Sequence, residues 1–130
     1  MEEQLKYQDL TRRIIKCAMA VHRELGNGFQ EIFYQKALDI EFELEGLKFN
    51  REFDMYIFYR NQKIGTRRVD FYVEELIMVE LKAVIKLEEA HLAQGLNYLE
   101  ASNNEIGLLI NFGSKSLEFK RLYNKKYKSL

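Results

Sequence analysis

From Tyr7 to Leu25 the apolar residues Leu10, Ile14, Cys17, Val21 and Leu25 recur at steps of three and four, the spacing of one helical face. Gly26-Asn27-Gly28 follows, and glycine closes a helix end because it takes the left-handed conformation without a Cβ clash. A second helix is expected with Phe33, Ala37, Ile40, Leu44 and Leu47 as its stripe, Tyr34, Leu38 and Phe42 widening the face, and Gly46 ending it. That face is expected to lie against a sheet.

After Gly46 the period falls to two. Phe49, Phe53, Met55, Ile57 and Tyr59 predict a first strand, being aromatic and branched residues that suit a pleated surface. Arg60-Asn61-Gln62-Lys63 reads as a turn, and Ile64 to Val73 as the returning strand. Glu74-Glu75 marks the next reversal. Leu76 to Val84 is then an apolar run interrupted only by Glu80 and Lys82, as expected of a central strand buried on both faces.

Leu87 to Ser102 predicts a third helix, with Leu92, Leu96 and Leu99 as its stripe and Glu88 and Glu89 at the positive end of its dipole. Ile106 to Phe112 is a short buried strand, Gly113-Ser114 a turn, and Leu117 to Tyr123 a last strand. The order is α-α-β-β-β-α-β-β. The passage from residue 76 to 112 implies a parallel strand pair with a right-handed crossover beside an antiparallel meander. The expected fold class is α/β, a mixed β-sheet flanked by helices.

Composition narrows the picture. A chain of 130 residues suits one domain spanning 1–130. Twenty Lys plus Arg balance twenty Asp plus Glu, so no global field gathers polyanions or grips anionic lipid, and a nucleic-acid site must be a local patch. The single cysteine, Cys17, forms no intrachain disulfide and reads as a small core residue, which fits a reducing compartment. The start, Met1-Glu2-Glu3-Gln4, is wrong for a signal peptide, and no apolar run is long enough to span a bilayer. A cytoplasmic location without a membrane partner is expected.

Two charges inside the central strand call for an explanation. Side chains alternate between the faces of a strand, so Glu80 and Lys82 project the same way. Buried ionised groups are normally paired, neutralised or bound to metal. The preceding strand adds Asp70, which meets Glu80 if the connecting loop holds an odd number of residues, as a three-residue turn at Glu74-Glu75-Leu76 or a five-residue one from Val73 to Ile77 would, and an odd loop is expected. Two carboxylates beside a lysine suit a hard divalent cation such as Mg²⁺, with Lys82 placed to orient a water or stabilise charge building on phosphorus. By the same parity Arg68, rather than Arg67, is expected on Asp70's side, where it would hold a phosphate or neutralise the acids. His91, Gln94 and Tyr98 form a polar stripe on the third helix and are candidate contacts to substrate. The competing reading of Asp70, Glu80 and Lys82 is a structural ion-pair network.

These residues carry a resemblance. Asp70 followed by Glu80-Leu81-Lys82 on the next strand resembles the Asp…Glu-x-Lys signature of the PD-(D/E)XK nuclease superfamily, with Val69 where the superfamily name has proline. Gly28-Phe29-Gln30-Glu31-Ile32-Phe33-Tyr34 is similar to the signature of the small bacterial GxxExxY family within it. Gln94-Gly95-Leu96-Asn97-Tyr98-Leu99 and Gly107-Leu108-Leu109-Ile110-Asn111-Phe112-Gly113 also resemble that family, so the likeness covers roughly residues 10 to 122. The resemblance implies a restriction-endonuclease-like core and a nuclease acting on DNA or RNA with Mg²⁺ or Mn²⁺. It implies that Asp70, Glu80, the Leu81 carbonyl and Glu31 hold the metal, that Lys82 is catalytic, that Gln94 lies near the active centre, and that Tyr34 lies by the substrate. By analogy a homodimer engages both strands of a duplex. The alternative is an inactive binding module on the same fold.

Overall fold

A computed structural model describes residues 7–129 of the chain; the acidic start Met1–Gln4 lies outside the described residues. Helix α1 spans Gln8–Leu25 and α2 spans Glu31–Glu45; the strands are β1 (Phe49–Tyr59), β2 (Gln62–Val73) and β3 (Ile77–Lys82). Helix α3 (Glu89–Ala101) then leads to β4 (Ile106–Asn111) and β5 (Glu118–Tyr123). The element order is the expected α-α-β-β-β-α-β-β. The sheet has the spatial order β1-β2-β3-β4-β5, antiparallel throughout except for the parallel pair β3 and β4, which α3 connects. Among the described residues no helix is long and apolar enough to cross a membrane.

Two cores lie on the two faces of the sheet. On one, Ile14, Ala18 and Val21 of α1 and Tyr34, Leu38 and Phe42 of α2 pack on Phe71, Val73, Ile77, Val79, Leu108 and Ile110. On the other, Leu99 of α3 packs with Met55, Val69 and Met78. Cys17 is buried in the first core, where desolvation pushes its thiol up to about 11; the residue behaves as a small hydrophobe. Arg13 and Lys16 both reach Glu45, at 3.2 and 3.0 Å, and tie α1 to the end of α2.

The stripe expected for α2 is corrected. Phe33, Ile40 and Leu44 are exposed, the last by 79%, and the buried residues are Tyr34, Gln35, Leu38 and Phe42. The helix is apolar on most sides, so spacing alone admits two stripes. Tyr34 decides between them: its hydroxyl donates to the Gly26 carbonyl at 2.6 Å and accepts the Phe29 N–H at 3.1 Å, and its ring stacks on Phe112 at 4.6 Å.

Past the end of β3, the chain is held by Asn111. Its side-chain oxygen accepts the Val84 N–H and its amide donates to the Val84 carbonyl, both at 2.9 Å, and to Glu118 at 2.9 Å. Gly113 runs so close that a Cβ there would lie 2.4 Å from the Val84 carbonyl oxygen. The Asn-Phe-Gly end of β4 therefore fixes where the chain goes directly after Lys82.

Candidate active site

Glu74, Glu75 and Leu76 form a three-residue turn, with the Leu76 N–H donating to the Val73 carbonyl at 3.0 Å and with positive φ at both glutamates. The register that follows is Val73 with Ile77, Tyr72 with Met78, and Phe71 with Val79. One residue further, the same register sets Asp70 against Glu80. There the backbone ladder gives way: the Asp70 carboxylate accepts the Leu81 N–H at 2.8 Å, and β2 and β3 part around the acids. The Lys82 carbonyl accepts from Phe112 on the β4 side, so strand alternation turns the N–H and carbonyl of Leu81 toward β2, into this fork.

Asp70 sits where β2 changes faces. Its neighbours Phe71 and Val69 pack into opposite cores, although strict alternation would put both on one side. The partner strand shows the matching break. Glu52, which the register places across from Asp70 between the pairs Arg51–Phe71 and Phe53–Val69, has φ of 54°, and Phe53 stacks on Tyr72 in the second core.

This break overturns the parity argument for Arg68. Arg68 turns away and forms a two-pronged pair with Asp54, at 3.1 and 3.5 Å, on the exposed side. Arg67 takes the place instead. Its Nη2 donates to Glu80 Oε2 at 2.5 Å, and its guanidinium lies 4.5 Å over the ring of Tyr98 from α3.

Helix α2 supplies the remaining acid. Glu31 opens the helix, exposed at the rim, and one turn later the buried Gln35 donates to Asp70 Oδ1 at 2.9 Å. The proton affinity of Glu31 is raised by desolvation and then by Asp70, and lowered by Lys82 and Arg67. Glu80 is buried, and its carboxyl is pushed up chiefly by desolvation and further by Asp70, against the pull of Arg67 and Lys82. Asp70, Glu80, Lys82, Glu31 and Arg67 thus share one electrostatic field at one end of β3.

The other candidates separate. Tyr98 joins the site as the shelf for Arg67, and Gln94 lies exposed one turn before it on the same helix face. His91 is engaged in capping α3: its Nδ1 accepts the Glu88 N–H at 3.0 Å. Tyr34 is fully buried and orders the turn into α2, so it offers substrate no surface. Neither Gln35 nor Arg67 is among the residues the sequence assigns to the site. Gln35 was legible as a polar residue four after Glu31, whereas the face change that brings in Arg67 leaves no mark in the sequence.

The donor set suits a hard cation. Two carboxylates and a carbonyl turned into the fork are all oxygen ligands, and Glu80 Oε1 is buried with no hydrogen-bond partner, an arrangement a cation would relieve. In the present arrangement Arg67 occupies the other oxygen. Among the described residues no group of three or more His, Cys, Asp or Glu side chains is already gathered as a metal cage.

A sequence profile of the PD-(D/E)XK nuclease superfamily matches residues 8–122. No curated protein and no solved structure matches the chain.

Proposed function

Since the chain belongs to the PD-(D/E)XK nuclease superfamily, we propose that it hydrolyses phosphodiester bonds in nucleic acid with a divalent ion held at Asp70 and Glu80. The buried, unpartnered Glu80 Oε1 beside Asp70 and Lys82 carries this reading. Asp70, Glu80 and the Leu81 carbonyl are the ligands, and Glu31 at the rim completes the set. Bound Mg²⁺ or Mn²⁺ would supply a Lewis acid for the phosphate and acidify a water. Lys82 places its ammonium where it orients that water and offsets charge growing on phosphorus. Gln35 and the Leu81 N–H fix Asp70, leaving its remaining lone pairs for the ligand role.

Within the superfamily, the likeness of Gly28 to Tyr34 to the GxxExxY signature supports a reading of the chain as one of those proteins, acting as one domain in a reducing, cytoplasmic setting. On a duplex, a second copy serves the other strand. A different reading, a binding module without catalysis, draws on the Arg67–Glu80 pair, which neutralises the acid internally.

Cleavage assays separate the two. Plasmid DNA, single-stranded DNA and RNA are each incubated with Mg²⁺ or Mn²⁺ and the wild-type, Glu80→Gln or Lys82→Met protein. The expected result is metal-dependent cleavage by the wild type, reduced about a hundredfold or more in both variants, the scale of losing a charge-stabilising group. Cleavage equal in all three proteins would remove the site assignment, and none in any would favour the binding module.

A further inference from the structure

We propose that Arg67 is the phosphate-holding arm of this site: it rests on Glu80 in the free protein and, once a cation takes that carboxylate, turns on Tyr98 to a non-bridging oxygen of the substrate phosphate. The inference rests on the metal-dependent reading above and names the residue that receives the anion.

The geometry of the pair carries it. Arginine and carboxylate pair best as two parallel hydrogen bonds, and the neighbouring Arg68 does this with Asp54. Arg67 and Glu80 make one bond only. Glu80 Oε1 and Arg67 Nε are both buried and both without a hydrogen-bond partner, so each side keeps an atom the other does not satisfy. Unpaired buried donors and acceptors are unfavourable, and a complementary pair of ligands resolves both: a cation at Oε1 and an anionic oxygen at Nε. A metal-bound phosphodiester brings that cation and that anion together.

Tyr98 makes the exchange workable. The guanidinium stands over its ring, a contact that holds the arm by its face and leaves its edge free to change partners. Tyr98 comes from α3 and Arg67 from β2, so the arm is gripped from outside its own strand. The guanidinium also supplies, in the free protein, the positive charge beside Glu80 that a divalent ion replaces. Arg67 and the metal therefore compete for Glu80 and cooperate on phosphate.

That opposition sets the test. Titration calorimetry with Mn²⁺ in mildly alkaline buffer is run on wild type, Arg67→Met, Arg67→Lys and Glu80→Gln, with melting temperatures checking that each is folded. Arg67→Met is expected to bind Mn²⁺ about tenfold tighter, since the competing charge-assisted hydrogen bond is gone, and Glu80→Gln is expected to lose binding. On a short labelled DNA, as duplex and single strand, Arg67→Met is expected to raise KM or lower kcat about tenfold or more, with Arg67→Lys between it and wild type. Mn²⁺ affinity unchanged or weakened in folded Arg67→Met, while Glu80→Gln still abolishes it, would overturn the arm and spare the metal site. No Mn²⁺ binding by the wild type would overturn both. Tyr98→Leu tests the same point if Arg67→Met does not fold: weakened DNA binding with Mn²⁺ affinity kept supports the arm, and DNA binding equal to wild type overturns it.

Discussion

Asp70 Oδ2 accepts the Leu81 N–H at 2.8 Å, so an aspartate side chain takes the place that a backbone carbonyl holds in the rest of the ladder. The bond does two things at once. It fixes the carboxylate from β2 beside Glu80, and it marks the point where β2 and β3 separate and leave room between them.

Asp70→Asn is expected to stay folded. The amide oxygen still accepts from Leu81, and once the Gln35 amide flips, the new amide group donates to Gln35 Oε1, which lacks a partner in the wild type. Asp70→Ala loses both bonds and with them about 1.5–3 kcal/mol. Cleavage is expected to be lost in both variants, so urea unfolding beside a cleavage assay separates the structural share of Asp70 from its chemical one.

Asn111→Ala removes a buried clamp on Val84 and Glu118 and is expected to destabilise by about 2–4 kcal/mol, because the Val84 groups are left without their partner. Gly113→Ala is expected to be at least as severe, since its Cβ meets the Ala83 and Val84 backbone at 2.4 to 2.6 Å. Gly28 has open space around it, so Gly28→Ala is expected to melt within about 0.5 kcal/mol of wild type, as surface substitutions do. Thermal melts of the three variants check the ranking.

Glu80 sets a pH dependence. Its folded-state proton affinity is raised from the ordinary value of 4.5, first by desolvation. The neutral form is thus favoured by folding: the stabilisation is complete below the ordinary carboxylate range and is lost as pH rises through the elevated value. Without added metal, wild type is expected to lose stability relative to Glu80→Gln as pH climbs from about 4.5 toward neutrality. Mn²⁺ binding runs the other way, weakening as pH falls, because the ligand must be ionised. Melting curves across that range with and without Mn²⁺ give the sign of each slope; parallel curves for the two proteins would contradict it.

Tyr34→Phe leaves the Gly26 carbonyl and the Phe29 N–H without the hydroxyl that joins them. A loss of about 1–3 kcal/mol is expected, with KM for nucleic acid unchanged because the ring is fully buried. A rise in KM without loss of stability would restore Tyr34 to the substrate side.

Much of this was legible in the chain. An odd-numbered loop, of three residues or five, followed from needing Asp70 and Glu80 on one side, and the turn has three; the nearness of Glu31 to Asp70 was implied by the family resemblance and not by strand parity. Two readings failed for physical reasons. On α2 the spacing supports both the Phe33–Ile40–Leu44 stripe and the Tyr34–Leu38–Phe42 stripe, and a hydroxyl bridge to the preceding turn selects the second. On β2 the alternation that assigned Arg68 to the site is interrupted at Asp70, opposite the positive φ of Glu52, and a face change at a bend is not written in a run such as Arg67-Arg68-Val69-Asp70. Gln35 leaves only a weak mark, a polar residue one turn after Glu31, and the acid it holds shows only in the fold.

Anomalous diffraction from crystals of the protein soaked in Mn²⁺ bears most directly on the site. The expected map shows one strong peak within about 2–2.5 Å of carboxylate oxygens of both Asp70 and Glu80, with Arg67 moved off Glu80. A map with no peak there, and with Arg67 still seated on Glu80 at saturating Mn²⁺, would contradict the metal centre and leave these charges as a structural ion-pair network.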